Sequence, residues 1–322
     1  MAPKVVCLGA VNLDLLYRVE DLAPFQQVWP RLQAGGEAAL APGEEDRLKA
    51  LLGGHGRFLA RSGGGQAANT ALALARMGVP VALLGRVGAD EDGEFLQDGL
   101  AGVDLSHLKV AGASGRAYIL VDPTGERTIL VAPNTNDDLS DADLPWEVLA
   151  GADFIHLTSF VGGGPLEVQV KLARRLEGWA RLSLDPGELY ASRGRPALAP
   201  LLLWLETLLA TEREWEFLGG GLTEHPAWAP PAVVVKRGAL GARLLTRKVI
   251  RDFPSEEPAQ VVDTLGAGDV FAAGYLAGLK TGLPREASVR LANRAAARSL
   301  TGVGREAYPD QEFLQRQLKE LW

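Results

Sequence analysis

Residues 263–278 read DTLGAGDVFAAGYLAG, with two glycines and a carboxylate at the mouth of an apolar helical pattern. Between a strand and a helix, the N–H groups of Gly266, Ala267 and Gly268 would point outward from the positive helix end, with Asp269 in the first turn. Such an end binds phosphate or another oxyanion without a side-chain cation. Glycine lets the backbone approach a ligand closely, and a carboxylate just beyond can take a proton from a hydroxyl. The pattern suits an anion site with a base beside it; the plain alternative is a capped tight turn.

Two further clusters carry polar groups near bare backbone. In SGGGQAANTALALARMG, residues 62–78, Gly64 and Gly65 precede a helix whose first turn holds Gln66 and Asn69. Neutral amides there suit a polyhydroxy ligand, because an amide both donates and accepts hydrogen bonds. In GAVNLDLL, residues 9–16, Asn12 and Asp14 leave the first strand at its carboxyl end. No Gly-Lys-Ser/Thr follows the glycines, the spacing is not G-x-G-x-x-G, and no His-Arg-Asp or Asp-Phe-Gly occurs. A nucleotide bound here must be held by backbone amides, Mg²⁺ and other charges.

The elements that position these clusters alternate between strand and helix. Apolar or β-branched runs predict strands at 4–11, 79–87, 154–157, 181–184, ending near Thr211, at 233–235, and in short pieces at 244–245, 249–251 and 260–262. Helical spacing marks 44–52, 66–77, 92–100, 166–176, 268–280 and 285–300. This implies a single α/β domain over residues 1–322, with a mainly parallel central sheet and helices on both faces. Ligands of such sheets gather beyond the carboxyl ends of the strands. A hairpin, GRAYILVDPTGERTILV at 115–131, interrupts the alternation, as does an irregular excursion at 25–61.

Composition narrows the classes. A formal charge of −7 provides no basic surplus for nucleic acid, and one cysteine, Cys7, excludes an internal disulfide. The four histidines show no metal-ligand spacing. The apolar stretch 197–210 is broken by Pro200 and Glu206 and is too short to span a bilayer. With no signal-peptide pattern at the start, the expectation is a cytoplasmic protein partnered by neither membrane nor nucleic acid.

The two long stretches, GGGQAANTALALARMG and DTLGAGDVFAAGYLAG, resemble the two signatures of the PfkB carbohydrate kinases, and RVGADEDGEFL and GRAYILVDPTGERTIL fall between them in the family's order. The resemblance implies the ribokinase-like fold with a small β-sheet lid, in segments near 14–35, 57–62 and 112–132, and transfer of the γ-phosphoryl of ATP to a hydroxymethyl group. It further implies Asp269 as base and the amides of Gly266, Ala267 and Gly268 as anion hole. Asn12, Asp14, Gly64, Gly65 and Asn69 would bind the acceptor. Gly238, Gly241 and Asn293 would lie on the nucleotide side, and Lys236 could face the ATP phosphates. Asp263 and Thr264 match a loop that holds a monovalent cation such as K⁺ in many relatives. Arg116, at the start of the hairpin, could point under the lid to a substrate oxygen.

One departure stands out. Relatives commonly carry Asn-x-x-Glu near the Mg²⁺ and phosphate site; this chain has TERE, with Thr211 in place of the amide and Glu214 retained. The resemblance also implies lids that pair between subunits, giving a homodimer. The acidic edge at Glu20 and Asp21, and the lack of an aromatic set for stacking a second base, favour a neutral sugar as acceptor. The long excursion keeps a nucleoside open, and a non-catalytic sugar-binding regulator is the reading from another class.

Overall fold

The computed structural model describes residues 4–30, 32–258 and 260–322. Its central sheet has eight strands in the order Ile250–Phe253, Ala242–Thr246, Ala232–Lys236, Thr207–Thr211, Arg181–Asp185, Ala152–Thr158, Lys4–Leu8 and Val81–Leu84. The six strands from Ala232–Lys236 to Val81–Leu84 are parallel, and the other two add on antiparallel. Val5 to Leu8 and Val81 to Leu84 are buried along their whole length. Alternation is lost because helices cover both faces. One core lies on the side of Leu157, Leu184 and Leu208, the other on the side of Cys7, Leu83 and the helices Gln66–Arg76 and Ala267–Lys280.

A second, smaller sheet has the order Glu37–Ala39, Arg127–Ala132, Gly115–Val121, Asn12–Val19 and Gly56–Gly64. Here alternation is kept. Ala117, Ile119, Ile129 and Val131 face a cavity over the main sheet, while Tyr118, Leu120 and Leu130 pack against Phe25, Leu48 and Leu52. The excursion therefore has a structural role: its helices Ala23–Val28 and Glu45–His55 cover the outer face of this sheet.

Two strand expectations are corrected. Residues 260–262 form no strand; Val261 and Val262 are exposed, and the Val262 N–H donates to Leu300 O at 2.8 Å. The run 79–87 breaks at Gly85, where a Cβ would lie 2.5 Å from Gly9 O. Beyond the break, Arg86–Val87 pairs with Lys109–Val110 instead of continuing in the main sheet.

Candidate active site

A cavity of about 300 Å³ lies between the lid sheet and the carboxyl ends of the central strands. Asn12 and Asp14 enter it from the strand Asn12–Val19, which begins just past the end of Lys4–Leu8. Gly64 is opposite Asn12 in the neighbouring strand, and a Cβ on Gly64 would sit 2.1 Å from Asp14 Oδ1. Only glycine admits the carboxylate there. Gly65, at φ +93°, starts the helix Gln66–Arg76 and brings Gln66 and Asn69 to the same cavity.

Asp269 stands at its floor. Its Oδ2 accepts from Asn69 Nδ2 at 2.8 Å, and Thr70 Oγ1 donates to its carbonyl oxygen at 3.2 Å. Burial pushes the Asp269 carboxyl up to about 7, against the opposing hydrogen bond from Asn69. Burial likewise raises Asp14 to about 7 and Glu37 to about 8, the latter also through Glu188, Glu214, Asp14 and Asp269.

The 14-residue helix Ala267–Lys280 begins after Gly266, which is left-handed at φ 75°. The N–H groups of Gly266 and Gly268 have no hydrogen-bond partner among the described residues, and that of Ala267 makes a 3.4 Å bond to Thr264 O. Free donors at the positive end of a helix form an anion site. Lys236 adds a cation: a Cβ on Gly268 would lie 3.5 Å from its Nζ. Burial alone would lower the Lys236 pKa, but Asp185, to which Nζ is paired, and Glu214 outweigh it and hold the pKa above the usual value.

The TERE segment is a capping box. Thr211 Oγ1 accepts from the Glu214 N–H at 3.2 Å, and Glu214 Oε2 accepts from the Thr211 N–H at 2.8 Å. Glu214 lines the cavity, and burial raises its pKa in spite of nearby Lys236. Asn136 locks the cavity's first corner: its Oδ1 accepts from Val11 N, and its Nδ2 donates to Val11 O and Asn12 Oδ1.

The other expected residues do not line this cavity. Arg116 is on the outer face of the lid strand Gly115–Val121, because it alternates with the cavity-facing Ala117 and Ile119. Its guanidinium is spent on Asp92 at 2.7 Å and Glu45 at 3.0 Å, so it does not reach the cavity. Asn293 is buried, with Nδ2 committed to Phe253 O at 3.0 Å and Pro254 O at 2.9 Å. Gly238 and Gly241 bound a one-turn bend, and a Cβ on Gly241 would strike Phe253 O at 2.1 Å. Asp263 and Thr264 lie in the loop before the anion site, with Asp263 paired to Arg127.

Three residues at or beside the cavity escaped sequence reasoning. Asp185 ends its strand at the carboxyl side, the place where ligands gather in such sheets, and that rule could have found it. Glu37 follows the pair Gly35-Gly36 inside the irregular excursion at 25–61. Arg305 gives no sequence signal; it reaches Asn69 Oδ1 through Nε at 3.0 Å and Nη2 at 2.8 Å from a position 236 residues away.

Comparison with known proteins agrees with this arrangement. Residues 49–310 match the sequence profile described as pfkB family carbohydrate kinase. The chain is 30% identical to an ATP-dependent ribose-1-phosphate kinase of Halopiger xanaduensis, over 98% of both chains. It is 33% identical to an uncharacterized sugar kinase of Archaeoglobus fulgidus, over 74% of this chain and 98% of that one. In fold it is similar to adenosine kinase of Sinorhizobium meliloti, with a TM-score of 0.84 and 22% identity over 99% of this chain and all of that one. No helix among the described residues is long and apolar enough to cross a membrane. The chain belongs to the pfkB family of carbohydrate kinases and has the ribokinase-like fold.

Proposed function

We propose that this kinase moves the γ-phosphoryl of ATP to a hydroxymethyl group of a small neutral sugar, with Asp269 as base. The observation that carries the reading is the meeting of Asp269 with unpartnered N–H groups of Gly266 and Gly268 at the floor of an acidic cavity. Asp14, Glu37, Glu188, Glu214 and Asp269 line that cavity, and among the described residues no lysine or arginine does. A phosphorylated acceptor would find its charge repelled there, whereas hydroxyls find acceptors in Asp14 and amides in Asn12 and Asn69.

The chemistry then rests on placement and charge. The acceptor hydroxyl donates to Asp269, whose raised pKa near 7 suits proton removal at neutral pH. The amides of Gly266, Ala267 and Gly268, with Lys236 beside them, receive the charge of the transferring phosphoryl group. Arg305 holds Asn69 Oδ1, so that the Asn69 NH₂ faces Asp269. The lid keeps out water, a competing acceptor. ATP would enter from the side of the Gly238 bend, where Leu240 and Val261 are exposed.

Mg²⁺ fits this site in a limited way. No cluster of three or more His, Cys, Asp or Glu among the described residues could hold an ion alone. Glu214 lines the cavity with its Oε2 held by the Thr211 N–H, so it would meet an ion bound mainly by phosphate and water. Bound there, Mg²⁺ neutralises the ATP phosphates. A homodimer through the lid would use the edge strand Gly56–Gly64, with Phe58 half exposed, because helices cover the outer face.

A nucleoside is the second reading, favoured by the apolar wall of Ile119, Ile129 and Val131 beside Glu37. ADP release measured with pentoses, hexoses, nucleosides and sugar phosphates decides between them. We expect turnover with a free sugar. Turnover confined to nucleosides or to sugar phosphates overturns the neutral-sugar reading, and sugar binding without turnover points to a regulator.

A further inference from the structure

The loop that leads into the anion site is closed by a protein cation. Arg127, at the start of the lid strand Arg127–Ala132, donates from Nη2 to Asp263 Oδ1 at 2.7 Å across 136 residues of sequence. The same oxygen accepts from Leu265 N at 2.9 Å, and Oδ2 accepts from Gly304 N at 2.9 Å. Three donors thus surround a largely buried carboxylate. These contacts hold the Asp263 carboxyl below its usual pKa, although burial opposes them.

A monovalent cation of the kind the family resemblance implies does not fit here. It would need lone pairs turned toward it, and the groups facing Asp263 are N–H donors and a guanidinium. Of the nearby carbonyls, Leu300 O already accepts from Val262 N at 2.8 Å and Asp263 N at 3.3 Å, and Thr264 O accepts from Ala267 N at 3.4 Å. A second cation beside Arg127 would meet like-charge repulsion.

We propose that Arg127 takes the place of the monovalent cation, so that this kinase works without K⁺ and its anion site is ordered by the lid itself. Asp263 precedes Gly266 by three residues, and Ile129 and Val131 of the same lid strand line the acceptor cavity. The lid position seen here therefore delivers the acceptor wall and the fixed charge together. Arg127 is a positioning residue: it acts on the anion site through Asp263. The inference builds on the kinase reading, but its cation-binding arm needs no acceptor.

The test compares KCl with tetramethylammonium chloride at equal ionic strength. In the wild type, the melting temperature and, with a working acceptor, kcat should agree between the two salts, kcat within about twofold. Arg127→Ala should lose about tenfold in kcat in tetramethylammonium, regain part of it in KCl, and gain a K⁺-specific rise in melting temperature. Arg127→Lys should keep the salt indifference. A wild-type rate or melting temperature that climbs specifically with K⁺ overturns the proposal, as does full activity of Arg127→Ala in tetramethylammonium. Should Arg127→Ala not fold, the wild-type salt comparison decides alone. Failure of every acceptor would overturn the kinase reading, while the melting comparison still answers for the cation.

Discussion

Asn69 joins two distant parts of the chain in one line, donating Nδ2 to Asp269 Oδ2 at 2.8 Å while its Oδ1 accepts from Arg305 Nη2 at 2.8 Å. An amide can be flipped at little steric cost, and here its orientation is fixed from behind by a charged donor. The Asp269 carboxylate therefore meets the cavity with its Oδ2 held by Asn69.

The first prediction concerns that base. Asp269→Asn should keep the fold and ATP binding and lower kcat by roughly 10²–10⁴, the usual contribution of a positioned base. Near-normal turnover of a purified, folded variant removes Asp269 from the mechanism. For the wild type, kcat/KM should rise with pH through a limb near 7, since only the carboxylate form accepts a proton and burial holds this group at about 7.

A pH effect on stability follows from the same burial. Asp14, with its folded value raised to about 7 from an ordinary 3.8, binds a proton more tightly folded than unfolded. Its contribution to stability is therefore greatest at low pH and declines as pH rises from about 4 to 7. Asp14→Asn, which cannot ionise, should gain in melting temperature relative to wild type at pH 8 compared with pH 5.5. An equal difference at both values would show that Asp14 is not held protonated by its surroundings.

Much of this site was legible because its parts are local. The anion site needs only consecutive residues, Gly266 to Asp269, and the Gly64–Asn69 turn is equally continuous in sequence. Expectation failed where partners come from afar or where a face must be assigned. Arg116 alternates with cavity residues, but a strand pattern alone does not say which face meets the cavity, and Glu45 and Asp92 claimed it from the other side. Arg305 and Glu37 are ordinary charged residues until the fold carries them to Asn69 and Asp14. Residues 260–262 have strand-like side chains, yet no neighbouring strand is there to bond them, and Leu300 O takes two of the loop's N–H groups instead.

Thr211 gives the third prediction. It caps the helix Glu212–Phe217, so Thr211→Ala should cost about 0.5–2 kcal/mol of stability, read by denaturant unfolding. Thr211→Asn keeps a capping side chain and restores an amide beside Glu214. We expect it to lower the Mg²⁺ concentration for half-maximal rate, and an unchanged Mg²⁺ titration shows that position 211 does not touch the metal. Glu214→Gln should lower activity, and full activity there moves the metal site elsewhere.

The last prediction asks the cavity about charge. Glu37 stands on the lid's edge strand, accepts no hydrogen bond from the described residues, and has its carboxyl raised to about 8 by burial and by Glu188, Glu214, Asp14 and Asp269. Its replacement breaks no side-chain hydrogen bond or ion pair among the described residues, unlike that of Glu188, Glu214 or Asp269. An anionic acceptor is repelled by this lining as its carboxylates ionise, which for Asp14 and Asp269, both raised to about 7, happens as pH rises through neutrality. Glu37→Lys replaces that group by a cation inside the cavity, so it should improve kcat/KM for a phosphorylated pentose relative to the free pentose. A tenfold change in that ratio corresponds to about 1.4 kcal/mol, a modest demand on one buried charge reversal, and is the size we expect. Glu37→Gln should shift the ratio less and in the same direction. A wild type that already prefers the phosphorylated sugar, or a ratio unmoved by Glu37→Lys in a folded variant, means that acceptor charge is not read by this end of the cavity.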